Sequence, residues 1–595
     1  MIPVDKSKTI LVVIIYRSDY IEKLKLIFDE SKFIKLKSNP LEKDLRDFRI
    51  LIAKIRPFLS LKDSRLIKPY ESIKTGYGLI KLHKVGHPVR PIVSSICSIT
   101  SGSEIYLLKI IQPILKKCKY SLQSTAEFTE IFKKDILFYN TDYEVVSYDA
   151  KSLYTSVIVK KVLDYIIEEI YLKPNDFFGQ NSETDEQSDF PPPDIFRKFF
   201  SNVLLKFSSF ETLTGYYKQK HGLSMGSKIS KALADIYLNI LESDIILRYI
   251  NQGIILSYSR YVDDCLLILK KGYKNIILDE MNQFDISLEF TLESMVDNKL
   301  IYLDTLIVQK NYILELEQFR KSENTVIMNF QYAPKQYKNS VLCAEIYRTN
   351  NCTSNIENRE KALQTLKEIF KANSYPINMV NKKIEEIKLR NFSTSPNRIA
   401  REEEKTDPEK VFYSLSLTYT SYKCSKIASE IYSILRKYTP KFRLNICFRT
   451  LTPENIILPR LKPEKHKLFT PNAVYRFVCT CGKKYIGETS KIFKTRIFQH
   501  RIRKDSWIYK HTTGCEEFQE SLILAYGSEP SAAERRLHII EHFEFIKKNL
   551  PRYYERVTFE GLMITLENPD LNKQVYHRSA KLIQNFSDAY VTNHG

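Results

Sequence analysis

The chain has no long apolar run near its start. The longest, Ile10 to Tyr16, is too short to cross a bilayer and lacks a signal-peptide cleavage region. That excludes a spanning segment there and sets the expectation of a soluble, intracellular protein with no membrane partner. Cysteine is present without order: ten residues are scattered with no regular framework, which argues against a disulfide scaffold and fits a reducing compartment. Negative charge is in deficit, with Asp and Glu at 70 against 91 Lys and Arg, a formal net charge of +21 and a pI near 9.2. Such a balance suits a polyanionic partner, of which nucleic acid is the simplest, although ribosomal, membrane-surface and heparin-binding proteins share it. Hydrophobic residues are not lacking: at 43% they exclude a disordered chain, and 595 residues imply several domains. Tyr and Phe, at 38 and 33, supply stacking platforms for bases, though most will be core.

The stretch around which the rest is organised is Ser259-Arg260-Tyr261-Val262-Asp263-Asp264-Cys265-Leu266-Leu267-Ile268-Leu269. Two apolar, β-prone runs flank adjacent aspartates, which reads as a hairpin with carboxylates at its turn. A solvated Asp-Asp turn is the commoner fate of such a pair. Here the run Cys265 to Leu269 is too apolar for a surface hairpin, so the turn belongs at the edge of a core. Like charges at that distance disfavour joint ionisation, and a hard divalent cation relieves the conflict. A third carboxylate should lie elsewhere, and Val145-Val146-Ser147-Tyr148-Asp149 is an apolar strand ending on one.

From the start of the chain, a strand is expected over Thr9 to Tyr16 and an amphipathic helix around Tyr20 to Phe28. In Tyr77 to Ser95, basic and apolar residues alternate, and Arg90 follows a Pro-flanked turn. This is either an exposed basic hairpin or a loop whose guanidinium fork grips a triphosphate. Tyr154 follows Asp149 on the same segment and on residues alone is equally a core aromatic. Residues 174 to 194, acidic and bounded by prolines, read as a solvated insertion loop. Gly222 and Gly226 precede an apolar helix, Ala232 to Leu241, and allow backbone to approach a ligand closely. Leu288 to Glu293 and Ile301 to Asp304 are expected as two more strands closing the sheet. Residues 331 to 392 turn helical, with Leu363, Leu366, Ile369 and Phe370 at helical spacing. Ser393 to Lys410 has the composition of a linker, and regular structure resumes from about Val411.

A second constellation lies near the C-terminus. Ala473 to Val478 and Lys484 to Gly487 are two short strands joined by Cys479-Thr480-Cys481-Gly482-Lys483. A basic helix then places Arg496 and His500 one turn apart on one face. A further helix, Ala533 to Lys547, carries Glu541. Cys479 and Cys481, with His511 and Cys515 downstream, supply a set of soft and borderline ligands for a structural zinc ion; unrelated thiols are the alternative.

Tyr-Val-Asp-Asp downstream of a strand-borne Asp resembles a reverse transcriptase palm, with Asp149 in motif A, Tyr217 to Ser227 in motif B and Asp263-Asp264 in motif C. The Tyr pair, Arg496 and a later Glu resemble the GIY-YIG endonucleases. Both halves in this order resemble the Penelope-like retroelement polyproteins. The resemblance runs from Asp5 to about Asn572 and rests on Tyr77 to Ser95, Ser147 to Val157, Tyr217 to Ser227, Tyr258 to Asp264 and Val474 to Thr489.

It implies a multidomain α/β (α+β) chain: a right-hand polymerase with fingers, palm and helical thumb, then a small α/β nuclease domain. The implied units are 1–70 N-terminal extension and fingers, 71–330 fingers and palm, 331–392 thumb, 393–465 linker and connecting region, 466–578 nuclease with zinc knuckle, and 579–595 tail. It implies that Asp149, Asp263 and Asp264 hold Mg²⁺ (or Mn²⁺), that Arg90 binds triphosphate and that Tyr154 blocks a 2′-hydroxyl. In the nuclease Tyr475 or Tyr485 would activate water, Arg496 would stabilise charge with His500 beside it, and Glu541 would bind Mg²⁺. Related nucleases carry a Cys/Cys/His/His finger here, so Cys515 stands for the final His. The implied partners are an RNA template, DNA primer and target DNA, and deoxynucleoside triphosphates, with a nuclear site of action after cytoplasmic synthesis. The sequence departs from the family at Lys228, where Pro is usual, and at Ala473, which replaces the Gly of the nuclease name. The family carries more chain upstream of Asp5-Lys6, which implies a truncated or defective copy. Two rivals are a binding relic without catalysis and a telomere-type polymerase with a vestigial nuclease.

Overall fold

The computed structural model describes residues 2–3, 12–13, 15–28, 32–81, 86–136, 139–173, 190–310, 313–320, 334–393, 411–419, 421–438, 442–450, 467–548, 550 and 553–572. The strands in chain order begin with β1 (Ile2–Pro3), β2 (Val12–Val13), β3 (Phe33–Leu36), β4 (Lys74–Ile80), β5 (Val89–Ser94) and β6 (Tyr143–Lys151). Next come β7 (Ser209–Thr212), β8 (Gly215–Gln219), β9 (Ile255–Tyr261), β10 (Asp264–Lys270) and β11 (Glu289–Ser294). β12 (Lys299–Tyr302), β13 (Thr305–Lys310) and β14 (Ile313–Gln318) form an antiparallel sheet of their own. β15 (Val411–Tyr419), β16 (Phe442–Thr450), β17 (Ala473–Val478), β18 (Lys484–Thr489) and β19 (Phe543–Lys547) complete the series.

The central sheet has the order β11-β6-β10-β9, antiparallel throughout. Its middle strands are apolar because both faces are covered: Val146 and Leu267 belong to the largest core cluster, Val145, Leu266 and Ile268 to a second one. Helices Val159–Ile167 and Ser230–Leu241 pack into the first cluster through Val162, Leu163, Ile166, Leu233 and Ile236. Beside it stands a five-stranded sheet, β3-β8-β7-β4-β5, whose aromatic core includes Tyr20, Phe28, Phe33, Phe210 and Tyr217.

Three helices, Lys335–Asn351, Ile356–Ala372 and Ile377–Ser393, follow and bury Leu342, Ile346, Leu363, Leu366, Phe370, Val380 and Ile384 among themselves. The second starts cleanly because Asn355 Oδ1 accepts the Asn358 backbone N–H at 2.7 Å, an N-cap. β15 and β16 pair in parallel around helix Tyr422–Tyr438. The last sheet, β18-β17-β19, is antiparallel and carries helices Phe493–Ile502 and Tyr553–Glu567. Among the described residues no helix is long and apolar enough to cross a membrane.

Three expectations need correction. The segment expected as one helix over Ala533 to Lys547 is a helix only over Ala532–Glu541; the alternating Phe-Glu-Phe-Ile-Lys that follows is the strand β19, paired with β17. Of the two strands expected to close the central sheet, β11 does, by pairing with β6, whereas β12 pairs with β13 in the separate sheet. Of Thr9 to Tyr16, only the strand Val12–Val13 and the residues Ile15 and Tyr16 are described. Most of the insertion loop, the linker after Ser393, His83 and its neighbours, and the tail lie outside the described residues.

Candidate functional site

The first site sits where β6 ends and the β9–β10 hairpin turns. The register places Asp264 directly opposite Asp149, and the Ala150 N–H donates to the Asp263 carbonyl at 3.1 Å. The three aspartates are half-buried and gathered at one end of the sheet by backbone pairing. The turn is tight: Val262 takes φ 60°, a left-handed conformation unusual for a β-branched residue.

After β6 the chain reverses through Ser152 (φ 53°) into a short helix carrying Tyr154. Tyr154 is packed against the largest core and is also close to the aspartates. Burial pushes its phenol up, Asp235 and Asp263 push it further, and Arg90 opposes them. Those influences place Arg90, Tyr154 and Asp263, which come from distant segments of the chain, near one another.

The glycine loop closes the site from the other side. Leu223 N–H donates to the Tyr154 carbonyl at 2.6 Å, and Gly222 (φ 68°) lies so close to Thr155 that a Cβ there would meet its carbonyl oxygen at 2.5 Å. Gly226 (φ 108°) lies against Val93 of β5, the strand that carries Arg90. Val93 N–H donates to the Met225 carbonyl at 2.6 Å. Behind this loop, Glu104 is wholly buried and accepts from Ser95 Oγ (2.6 Å), Thr100 Oγ1 (2.8 Å), Ser227 Oγ (2.9 Å) and the Lys228 backbone N–H (3.1 Å), with Lys74 Nζ at 3.2 Å. Sequence reasoning missed Glu104, since nothing local marks a lone Glu in an apolar helix.

The second site is built on the β17–β18 hairpin. Tyr475 is wholly buried on β17, opposite Gly487 of β18. A Cβ at 487 would meet the Tyr475 hydroxyl at 2.6 Å, so only glycine fits. Arg496 Nε donates to the Tyr475 oxygen at 2.8 Å, Tyr475 Oη lies 2.6 Å from His500 Nε2, and His500 Nδ1 lies 2.8 Å from Ser506 Oγ. Burial, then the Arg496 charge, pushes His500 down to about 3, so the imidazole is neutral. A neutral ring with Nδ1–H given to Ser506 leaves Nε2 free to accept the phenolic proton. Burial raises Tyr475 and Tyr485 alike, with Arg496 opposing in both.

Glu541, the acid expected beside this cluster, is not placed there by any contact with Tyr475, Tyr485 or Arg496 among the described residues. It ends its helix exposed to solvent, near Lys467 and His538. Glu560, on the helix Tyr553–Glu567 packed against β18, is the acid whose charge is felt by Tyr475, Tyr485 and Arg496. Its Oε1 accepts the Glu488 N–H at 3.0 Å. Burial, then the Glu488 carboxylate, raises it to about 7. Glu488 in turn pairs with Arg556 at 2.7 Å, and Asn572 brackets Ile486, accepting its N–H at 2.8 Å and donating to its carbonyl at 2.7 Å. Glu541 was the nearer acid in sequence after Arg496; the intervening strand β19 carries the chain past it.

Cys479, Cys481, His511 and Cys515 converge, with their ligand atoms all within 4.8 Å of one another. Among the described residues no other three or more His, Cys, Asp or Glu side chains bring their ligand atoms that close together; Asp149, Asp263 and Asp264 are gathered by backbone pairing, with their carboxylates less tightly grouped. Cys479 Sγ and Cys515 Sγ are 3.8 Å apart, and Cys481 Sγ is 3.3 Å from His511 Nε2. Those separations suit the edges of a tetrahedron with metal–sulfur bonds of about 2.3 Å. Gly482 (φ 83°) makes the knuckle turn. Burial pushes Cys479 up to about 12 and lowers His511, so a cation bound there would have to displace the Cys479 proton.

A model of an animal helix-turn-helix domain matches residues 327–385, a stretch that includes the first two of the three consecutive helices and the start of the third. No curated protein sequence matches the chain. Among solved structures, the chain is similar to telomerase from Candida albicans in complex with a TWJ fragment of telomeric RNA: 13% identity, TM-score 0.38, 59% of this chain and 62% of that one. It is also similar to the Sicinivirus 3Dpol RNA-dependent RNA polymerase (14%, TM-score 0.35, 61% and 89%) and to the RNA-dependent RNA polymerase of a human picorbirnavirus, insertion loop deleted (10%, TM-score 0.32, 61% and 77%). The match thus spans less than two thirds of the telomerase chain.

Proposed function

We propose that the chain is an RNA-directed DNA polymerase of a Penelope-like retroelement, joined to a GIY-YIG nuclease that nicks DNA for target-primed insertion. The observation that carries the polymerase half is the register that sets Asp264 against Asp149 at the turn bearing Asp263. Asp149, Asp263 and Asp264 are the residues to hold Mg²⁺ (or Mn²⁺), which on binding would activate a primer 3′-hydroxyl and steady the leaving pyrophosphate. Around them, Arg90 would grip the triphosphate and Tyr154 would close the space a 2′-hydroxyl needs. Gly222 and Gly226 let the loop backbone pack directly on Thr155 and Val93, beside the place a nucleotide would occupy. The protein's share is positioning and charge neutralisation.

In the nuclease, His500 accepts a hydrogen bond from the Tyr475 hydroxyl and Arg496 donates to the same oxygen, an arrangement that would orient the phenol and guanidinium toward a water and a phosphodiester. Glu560 takes the metal-binding role first expected of Glu541. The Cys479, Cys481, His511 and Cys515 cluster would hold structural zinc, with every corner filled by protein. RNA template, DNA primer and target, deoxynucleoside triphosphates and a nuclear site of action complete the reading, with 331–392 as thumb and 466–578 as nuclease unit.

The test is primer extension by the purified chain with Mg²⁺ on matched RNA and DNA templates, alongside nicking of supercoiled DNA. Extension on RNA, lost in Asp263→Ala with nicking retained, is the expected result. Loss of both activities in a folded Asp263→Ala chain would overturn the two-site reading.

A further inference from the structure

One cation lies wholly inside the central sheet. Arg260, on β9 shortly before the Val262-Asp263-Asp264 turn, has 0% of its surface exposed. A guanidinium in that position is tolerable only when its donors are matched. Nε donates to Glu242 Oε1 at 2.5 Å, and Nη1 donates to Asp235 Oδ1 at 2.9 Å. Both acids belong to one continuous helical rod, Ser230–Leu241 running into Glu242–Ile246, so their spacing is fixed. Tyr258 Oη donates to the same Glu242 oxygen at 3.0 Å. The backbone of Arg260 is equally held: its N–H donates to the Tyr120 carbonyl at 2.9 Å, and its carbonyl accepts from Leu122 N–H at 2.7 Å.

One contact reaches from this anchor to the turn. Nη1 also donates to the Val262 carbonyl at 3.2 Å. Val262 is the residue at φ 60°, and the peptide that Arg260 holds joins it to Asp263. A β-branched residue reaches that region only against steric resistance and relaxes from it unless something holds it there.

Building on the polymerase reading above, we propose that Arg260 is a positioning residue: anchored by Asp235 and Glu242, it locks the left-handed Val262 peptide and so fixes where Asp263 presents its carboxylate. Lysine cannot substitute, because a single nitrogen cannot reach Glu242, Asp235 and the Val262 carbonyl together.

The test is a double-mutant cycle in the full chain, read by primer extension on an RNA template over a Mg²⁺ series. Arg260→Lys should lower kcat by about tenfold or more with KM for the nucleotide nearly unchanged, and should raise the Mg²⁺ concentration for half-maximal rate. Glycine adopts positive φ without strain. In a Val262→Gly background, therefore, Arg260→Lys should cost no more than about threefold. A residue needed only for charge balance in the core would cost the same in both backgrounds, and that result overturns the proposal. So does an Arg260→Lys chain with parental kcat. If Arg260→Lys does not fold, Asp235→Asn keeps the volume while weakening the anchor, and must show the same loss and the same relief by Val262→Gly. An active parent with additive losses refutes the lock alone; a parent that extends no primer removes the polymerase reading and the lock together.

Discussion

Tyr475 Oη lies 2.6 Å from His500 Nε2, inside the core of the C-terminal sheet. Burial, then the Arg496 charge, keeps the imidazole neutral, so Nε2 can accept the Tyr475 hydroxyl. Because the folded-state value is depressed to about 3 from an ordinary 6.5, the associated stability is present above pH 6.5 and is lost as pH falls from there towards 3. Trp507, the single tryptophan of the chain, follows Ser506, the other partner of that ring. Unfolding followed by its fluorescence should show a loss of up to about 3 kcal/mol between pH 7 and pH 4. His500→Gln should flatten that slope; an unchanged slope means another group is responsible.

Glu560→Gln should cost nicking about a hundredfold or more, whereas Glu541→Gln should stay within about threefold of the parent. Nicked-circle formation from supercoiled DNA measures both. Equal effects would return the choice between the two acids to open question and count against the geometry around Arg496.

Tyr154→Ala should admit ribonucleotides, since loss of the ring opens space beside Asp263. Incorporation of ribo- against deoxynucleotides is the readout, with selectivity expected to fall by about tenfold or more. A variant that extends primers and stays as selective as the parent shows that Tyr154 is not the gate.

Elemental analysis of the purified chain should find one zinc per chain, absent from Cys515→Ala. Binding must displace thiol protons, Cys479 being the hardest to ionise. Occupancy should therefore fall as the pH is lowered, and a nicking-competent chain free of zinc at neutral pH would refute the site.

The parts legible in the sequence were those encoded locally. The apolar runs around Asp263-Asp264 predict the β9–β10 hairpin, and Cys-x-Cys-Gly between two strands predicts the knuckle, because turn chemistry and period-two alternation are short-range signals. Pairing over distance was not legible. β12 reads as a strand in either sheet, and only its pairing with β13 decides which. Glu560 looks like any acid on an amphipathic helix until that helix docks on β18. The strand signal of Phe543-Glu544-Phe545 was present but was absorbed into the preceding helix. Lys228, a departure from the expected proline, turns out to use its N–H rather than its side chain, as a donor to Glu104.

The central sheet also sets a schedule for synthesis. β6 lies between β10 and β11, and Thr291, the partner of Asp149 on β11, comes 142 residues after it. On a ribosome the strand bearing Asp149 emerges long before either neighbour exists, with both edges open. Closing so long a loop is slow relative to local helix formation. A nascent chain halted before Ser294 therefore exposes an apolar, unpaired strand, the kind of surface that chaperones hold and that aggregates when they do not.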